Sequence, residues 1–249
     1  MIIAVAGKGG SGKTTLAGLI IRYLVRSGKV PVLAVDADPN SNLADSIGLQ
    51  APKTIGQVNQ EFLDGKQNLP PGMHKQGWLD LKLNEALGES KGVDIVVMGR
   101  PEGSGCYCSA NAVLKEYLEK LAGNYSYVVV DNEAGMEHLS RRTTQEMDVL
   151  FMVSEPTIRG IRTVGRLDKL VKELNLKVKN RFLILDRVNG DIDSKLSAEI
   201  DKLNVDLLAT IPQDEEVLEY DLLERSLIDL PETSPAAKAV EDLMEKVVK

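Results

Sequence analysis

The chain opens with MIIAVAGKGGSGKTT (residues 1–15), in which an apolar run passes directly into a glycine-rich loop. Residues 7–15 fit the phosphate-loop pattern G-x-x-x-x-G-K-[ST], and a segment with helical spacing follows them. Glycines let backbone N–H groups approach phosphate oxygens without interference from a Cβ atom. The sequence therefore predicts a strand that ends at Ala6, a loop that holds nucleotide phosphates, and a helix that begins near Thr14.

The side chains of this loop extend the prediction to a bound metal ion. Lys13 is placed to reach the β and γ phosphates, and Thr14 offers its hydroxyl to Mg²⁺. The predicted nucleotide-binding residues of the loop are Gly7, Lys8, Gly9, Gly10, Ser11, Gly12, Lys13, Thr14 and Thr15.

Further apolar runs alternate with segments of helical spacing along the rest of the chain. They lie at residues 30–36, 93–99, 125–131, 148–154, 181–186 and 205–212. Continuous Val, Ile and Leu runs suit strands that are buried on both faces of a sheet. We therefore predict an α/β fold, a three-layer P-loop NTPase with a mostly parallel central sheet and helices on both faces. One domain is expected over residues 1–249.

Composition narrows the classes of protein to which the chain can belong. The 249 residues carry a formal net charge of -7 and no block dominated by Lys and Arg, which argues against a nucleic-acid partner. No secretion signal and no apolar stretch long enough to span a membrane is recognisable, so we expect a cytoplasmic protein without a membrane partner. Two cysteines in that compartment are expected to be reduced.

The least regular part of the sequence is residues 51–91, which contain the only tryptophan, Trp78. We predict a surface excursion with one or two helices there. A partner-docking insertion is the alternative, because long irregular segments often carry function.

The loop also contains a second lysine, Lys8, near its start. With it, KGGSGKTT resembles the deviant Walker A motif of the group that includes MinD/ParA, ArsA and the nitrogenase iron protein. The resemblance implies a homodimer in which two protomers face each other across two nucleotides. It also implies that Lys8 reaches the partner's phosphates and neutralises charge that develops during phosphoryl transfer. ATP hydrolysis is the expected activity.

Two acidic strand ends fit the same group. The segment VLAVDADPNSNLA (residues 32–44) lies at the position of switch I, where the resemblance implies that Asp38 orients or activates the attacking water, with Asp36 as a rival. The segment YVVVDNEAGMEHL (residues 127–139) ends its strand in Asp131, a carboxylate of the Walker B type expected to hold Mg²⁺ through water. Both lie where open α/β sheets bind ligands.

The residues expected at the nucleotide base depart from the pattern of this group. The resemblance implies an Asn at the end of the strand 181–186, where this chain has Asp186 followed by Arg187. It also places Ile211 and Pro212 beside the base. A carboxylate can accept the hydrogen bond of the adenine amino group but cannot donate one to a ring nitrogen. ATP is the predicted nucleotide, and the effect of Asp186 on base preference stays open.

The only two cysteines, Cys106 and Cys108, stand two positions apart in GCYCS (residues 105–109). In an extended segment such residues face the same side, and a helix predicted just after them would favour their thiolate forms. Two sulfurs are too few for a tetrahedral metal site, and the only histidines are His74 and His138. A two-fold dimer would supply four thiolates. A pair of buried packing residues and a strained disulfide in redox exchange are the alternatives.

The chain at this point resembles one family closely, the CooC-type ATPases that assist nickel insertion into carbon monoxide dehydrogenase. The matching pieces are AGKGGSGKTT, VDADPNSNL, MGRPEGSGCYCSANAVL, DNEAGMEHL and VSEPTIRGIRTVGRL. The resemblance implies that Cys106 and Cys108 bind Ni²⁺ or Zn²⁺ at the dimer interface. It implies a metallochaperone or maturation role, with carbon monoxide dehydrogenase as the client and acetyl-CoA synthase as an alternative client.

Two other functions share the same loop. A positioning ATPase like MinD or ParA would need a membrane helix or a DNA-binding surface, and neither is evident in the sequence. A redox ATPase like the nitrogenase iron protein holds its cluster with two cysteines per protomer, but those cysteines are widely separated in sequence. A two-residue spacing suits a single ion better.

Overall fold

The computed structural model describes residues 1–38, 40–65, 69, 71–99, 120–133 and 146–248. Its central feature is one sheet of eight strands within these ranges, in the order β3-β4-β2-β5-β1-β6-β7-β8. The strands are β1 (Ile2–Gly7), β2 (Val32–Asp36), β3 (Gly88–Glu89), β4 (Val93–Val97), β5 (Tyr127–Asp131), β6 (Glu146–Ser154), β7 (Lys177–Val188) and β8 (Asp206–Pro212). Neighbouring strands are parallel except β3, which runs antiparallel to β4.

Helices connect these strands. In the described ranges they are α1 (Lys13–Arg26), α2 (Asn42–Ser46), α3 (Ile55–Asp64), α4 (Lys75–Glu85), α5 (Ile158–Glu173), α6 (Ser194–Ile200), α7 (Glu215–Leu222), the 3₁₀ turn Leu227–Asp229, and α8 (Pro235–Val247). None of them combines the length and the apolar content needed to cross a membrane.

The sheet is covered on both faces, and β1 shows how the sequence achieves this. Successive side chains of a strand point to opposite faces. Ile3 and Val5 pack in the core formed with α1 and α8, whereas Ala4 and Ala6 pack in the core that contains residues of α3 to α6. All four side chains are fully buried. The predicted three-layer fold with a mostly parallel sheet is therefore confirmed.

The region 51–91 contains two helices, α3 and α4, in agreement with the one or two helices predicted. It is more than a surface excursion, because Ile55, Val58, Leu79 and Leu83 are buried in the core on that face of the sheet. Thr54 and Gln57 form a capping box at the start of α3, with hydrogen bonds of 3.2 Å and 2.9 Å. The rings of Phe62 and Trp78 lie 5.8 Å apart and join the two helices. Strand β3 was not predicted, because two residues are too short to carry a recognisable pattern.

Strand β7 begins at Lys177, four residues before the apolar run predicted from the sequence. In the added residues KVKN, Val178 packs against the core and the polar side chains on either side of it are exposed. Lys177 pairs with Glu146 at 2.5 Å and Lys179 with Asp148 at 2.6 Å, both across the β6–β7 ladder. An apolar-run criterion does not find this extension.

Candidate functional site

The glycine-rich loop joins the end of β1 to the start of α1. Gly10 and Gly12 have φ values of 74° and 87°, a region that residues with a Cβ atom rarely adopt. Gly12 is the N-cap of α1, and no side chain caps the helix there. The N–H groups of the first turn are therefore left to a ligand, as in phosphate-binding helix termini.

Gly7 and Gly12 are also needed for close packing. A Cβ atom at Gly7 would clash with the carbonyl oxygen of Val153 at the end of β6, and one at Gly12 would clash with the carboxylate of Asp186 at the end of β7. The loop is thus held against the carboxyl ends of two neighbouring strands, at the edge of the sheet where α/β proteins bind ligands.

The two side chains expected to meet phosphate and Mg²⁺ are both ordered by contacts within the site. Lys13 is 7% exposed, and its Nζ lies 3.3 Å from the carbonyl oxygen of Lys8. The Thr14 hydroxyl donates a 2.6 Å hydrogen bond to Oδ2 of Asp131. Lys8 itself has an exposed side chain at the rim of the loop.

Asp36 and Asp131 form a carboxylate pair on adjacent strands, since they are direct partners in the β2–β5 register. Both are buried. Burial raises the pKa of Asp131 to about 7, and the neighbouring charge of Asp36 adds to this rise against the hydrogen bond from Thr14. Burial likewise raises the pKa of Asp36 to about 6. Both carboxyls therefore release their protons at a higher pH than ordinary aspartates do.

The donor set fits Mg²⁺. The buried Oδ1 of Asp131 has no hydrogen-bond partner, so this oxygen is left for a cation or a water bound to one. A carboxylate and a hydroxyl are hard oxygen ligands of the kind that Mg²⁺ prefers.

The two candidates for positioning water differ in their surroundings. Asp36 is fully buried, and its oxygens accept hydrogen bonds from the N–H groups of Asp38 at 3.1 Å and of Leu43 at 2.8 Å. It therefore fixes the start of α2 beneath the switch-I segment. Asp38 is partly exposed, and its Oδ1 accepts the N–H of Asn40 at 2.8 Å. Of the two carboxylates, Asp38 is the one that water can reach.

Asp186 and Arg187 close the side of the site formed by β7. Asp186 is 7% exposed, and burial raises its pKa to about 6 against the opposing charge of Arg187. Arg187 adopts the left-handed region with φ 56°, which turns its guanidinium back over the loop. That group donates to the carbonyl of Gly10 and, at 2.9 Å, to Glu155. The role of Glu155 was missed, because a charged residue after a strand carries no distinguishing signal.

Some of the remaining predicted residues lie within the described ranges, and others lie outside them. Ile211 is 2% exposed within the α1 core, so Pro212, which is partly exposed, offers the accessible surface of that pair. His74 is the N-cap of α4 and makes no side-chain cap bond. Cys106, Cys108 and His138 lie outside the described residues. Within the ranges that are described, no three His, Cys, Asp or Glu side chains form a cluster that could hold a metal ion.

A second missed residue is Asn132, which follows Asp131. It is 1% exposed, and its Nδ2 donates at 2.9 Å to the carbonyl of Val5. This bond fastens the end of β5 to β1 beside the loop. Apart from its position after a strand, no sequence pattern marks Asn132.

Comparison with known proteins assigns the chain to a family. Residues 2–227 match the family described as the CobQ/CobB/MinD/ParA nucleotide binding domain. An uncharacterized ATP-binding protein of Methanocaldococcus jannaschii is 42% identical over 100% of this chain and 98% of its own length. The carbon monoxide dehydrogenase accessory protein CooC of Rhodospirillum rubrum is 31% identical over 96% of this chain and 92% of its own length.

The fold has a counterpart among solved structures. The septum site-determining protein MinD of Pyrococcus horikoshii, solved with Mg-ADP, superposes with a TM-score of 0.70 at 24% identity, covering 100% of this chain and 96% of that one. At this identity the likeness concerns the fold alone. The family match over most of the chain agrees with the loop, the acidic strand ends and the sheet order. This chain belongs to the CobQ/CobB/MinD/ParA nucleotide-binding family of P-loop ATPases.

Proposed function

We propose that the protein is an ATP-dependent dimeric maturation factor that carries Ni²⁺ or Zn²⁺ on Cys106 and Cys108 and assists nickel insertion into carbon monoxide dehydrogenase. The observation that carries this proposal is the 31% identity to a carbon monoxide dehydrogenase accessory protein over nearly the full length of both chains. Overall likeness of this extent supports a shared role more strongly than the phosphate loop, which many functions share.

The nucleotide chemistry rests on the described site. Lys13 and the free N–H groups at the start of α1 bind the phosphates. Thr14, and Asp131 through a bound water, would hold Mg²⁺, which would supply positive charge beside the phosphate oxygens. Asp38 orients water toward the γ-phosphate, because it is partly exposed whereas Asp36, the other switch-I carboxylate, is buried. Pro212 lines the base side, and Asp186 stands where its carboxylate limits discrimination between bases.

The proposal of a dimer draws on Lys8. Its side chain is exposed at the rim of the loop, whereas Lys13 is buried in the same loop. One lysine is thus engaged with the chain's own phosphate site, and the other is free to reach a second protomer. A face-to-face homodimer gives Lys8 a phosphate to neutralise and brings the two Cys-x-Cys segments to one axis.

The metal ion is the cargo in this proposal. Two thiolates from each protomer give the four ligands of a closed site, which suits Zn²⁺ in a tetrahedral and Ni²⁺ in a planar arrangement. ATP-driven closure holds the ion, and hydrolysis loosens the shared site so that the ion passes to the client. Acetyl-CoA synthase is the alternative client, since its nickel centre would need the same delivery.

The test is activation of a nickel-free client. Anaerobically purified protein loaded with Ni²⁺ should activate apo carbon monoxide dehydrogenase in the presence of ATP, and both Lys13→Ala and the Cys106→Ser/Cys108→Ser variant should fail. Activation of apo acetyl-CoA synthase alone would replace the client. A brown protein containing iron and sulfide would favour the iron-protein-like reading. A protein that binds no metal at all would favour a MinD-like positioning ATPase.

A further inference from the structure

Helix α7 exposes its leucines to solvent. Leu218 is 53% and Leu222 82% exposed, and Leu223, directly after the helix, is 49% exposed. Leu218 and Leu222 stand four positions apart and so lie on one side of the helix. No residue of α7 is buried, and only its other side, with Val217 and Tyr220, packs on the core. Much of the apolar surface of these leucines is therefore left uncovered by this chain.

The same segment is strongly acidic. Residues 215–224 contain five acidic residues and no basic one. Glu215 and Glu216 suit the positive end of the helix dipole, but Glu219, Asp221 and Glu224 come near or past its negative end, where acids are unfavourable. Among the ion pairs of the described residues, none involves an acid of this segment. Helix stability does not explain this charge.

Both ends of α7 are fixed by hydrogen bonds to neighbouring elements. At its start, the buried carboxylate of Asp214 accepts the N–H of Glu216 at 2.9 Å and bonds to Ser234 and Ala236 at the start of α8. Asp214 stands two residues after Pro212, on the base side. Past its other end, the Ser226 hydroxyl donates at 2.7 Å to the carbonyl of Ile47, the C-cap of α2.

Helix α2 is in turn held by Asp36, which accepts the N–H of Leu43 beneath the switch-I segment. A change of switch I on nucleotide binding would therefore reach α7 through α2 and Ser226. The residues after α7 are thereby connected to the switch-I segment.

We propose that the α7 face, formed by Leu218, Leu222 and Leu223 with Glu219, Asp221 and Glu224, docks a separate protein that presents an amphipathic helix with leucine-like residues flanked by Lys or Arg. The apolar residues match the leucines, and the basic flanks match the acids. Nucleic acid and anionic membranes are disfavoured, because both carry the same sign of charge as this face. The docking face goes beyond the proposed metal-delivery function and does not depend on Cys106 or Cys108.

The probe is a labelled synthetic helical peptide with leucine on one face and lysine on the other, and a leucine–glutamate peptide is its counterpart. Fluorescence anisotropy with the nucleotide-free full-length protein should show binding of the lysine peptide only. Leu218→Ser/Leu222→Ser and Glu219→Lys/Asp221→Lys should each weaken binding by about tenfold or more. Both change exposed side chains, so the fold is retained, and the second keeps the leucines.

Matched controls remove equivalent residues elsewhere. Leu81→Ser removes a leucine that is 45% exposed on α4, and Asp242→Lys/Glu245→Lys reverses two exposed acids of α8; both should bind the peptide like the wild type. ATP with Mg²⁺ should change the peptide affinity of the wild type, and Ser226→Ala should reduce that change.

Three results would overturn the proposal. The first is equal peptide affinity in the α7 variants and the wild type. The second is binding of the α7 leucines to phosphatidylcholine vesicles in place of the peptide. The third is self-association of the nucleotide-free wild type that Leu218→Ser/Leu222→Ser abolishes, which would make a second copy the occupant. Because the assay omits metal and client, its failure is distinguishable from failure of the proposed function.

Discussion

The hydroxyl of Thr14 donates a 2.6 Å hydrogen bond to the carboxylate of Asp131, which joins the first turn of α1 to the end of β5 across 117 positions of the chain. The other carboxylate oxygen, Oδ1, is buried without a partner. A Mg²⁺ ion bound to the Thr14 hydroxyl would lie next to the carboxylate of Asp131. The two residues act as one unit, so the loss of either should affect the same step.

Thr14→Ala should weaken binding of ATP in the presence of Mg²⁺ by about tenfold or more, or about 1.4 kcal/mol per tenfold. Binding of ADP in the presence of EDTA should change much less, because the loop N–H groups and Lys13 remain. Calorimetric titrations with and without Mg²⁺ measure both. Thr210→Ala, which removes an exposed hydroxyl from β8, serves as the control. An equal loss in both conditions would mean that Thr14 supports the loop and not the ion.

Asp36 and Asp131 should make both the stability of the fold and the affinity for Mg²⁺ depend on pH. Asp36 and Asp131 have pKa values raised to about 6 and about 7, well above those of unfolded carboxyls. Between about pH 4 and pH 7 the folded state therefore holds more protons than the unfolded state, so this pair favours folding increasingly as pH falls. Binding of Mg²⁺ requires the charged form, so affinity for Mg²⁺ with ATP should fall over the same range.

The number of protons released on binding tests the raised pKa of Asp131. Calorimetric titration of the protein with ATP and Mg²⁺ at pH 7, in two buffers of different ionisation enthalpy, should show that protons are released on binding. Asp131→Asn should abolish most of that release, since a side-chain amide does not ionise in this pH range. Identical heats in both buffers for the wild type would contradict the raised pKa of Asp131.

We expect Arg187 to help shape the glycine-rich loop. Its guanidinium bonds to the carbonyl of Gly10 and to Glu155, which ties the loop to the segment before α5. Arg187→Ala should lower ATP affinity by about tenfold, the size expected for loss of hydrogen bonds to a charged group. Glu155→Gln should have a smaller effect, and Arg187→Lys should be intermediate. Arg159→Ala, an exposed arginine of α5, is the control. Wild-type affinity in Arg187→Ala would show that the loop keeps its shape unaided.

Much of this architecture follows from short-range rules. The glycine loop and the apolar runs predicted the strands, because buried parallel strands leave a continuous pattern in the sequence. The site contacts were less accessible. The approach of Asp186 to Gly12, the bond from Arg187 to Gly10, and the pairing of Asp36 with Asp131 all join distant segments, and only the sheet order brings them together. The exposed leucines of α7 were unpredictable because their spacing resembles that of a core helix.

The two loop lysines should give different phenotypes. Lys13→Ala should impair nucleotide binding itself, since this lysine is buried within the loop. Lys8→Ala should bind nucleotide almost normally but lose ATP-dependent dimerisation and turnover, because its exposed side chain is proposed to act on the partner's phosphates. Nucleotide binding, sedimentation and phosphate release separate these effects. Hydrolysis at the wild-type rate in Lys8→Ala would contradict the trans-acting role.

If the thiolates of two protomers share one ion, the number of metal ions bound per chain must show it. Zn²⁺ and Ni²⁺ titrated under reducing conditions should bind at one ion per two chains and drive dimerisation without nucleotide, because ligation needs both pairs of thiolates. Cys106→Ser/Cys108→Ser should lose the ion and the metal-driven dimer while still binding ATP. Metal content combined with sedimentation gives both quantities from one sample. One ion per chain, or metal-driven dimerisation that survives in the double-serine variant, would contradict the shared site.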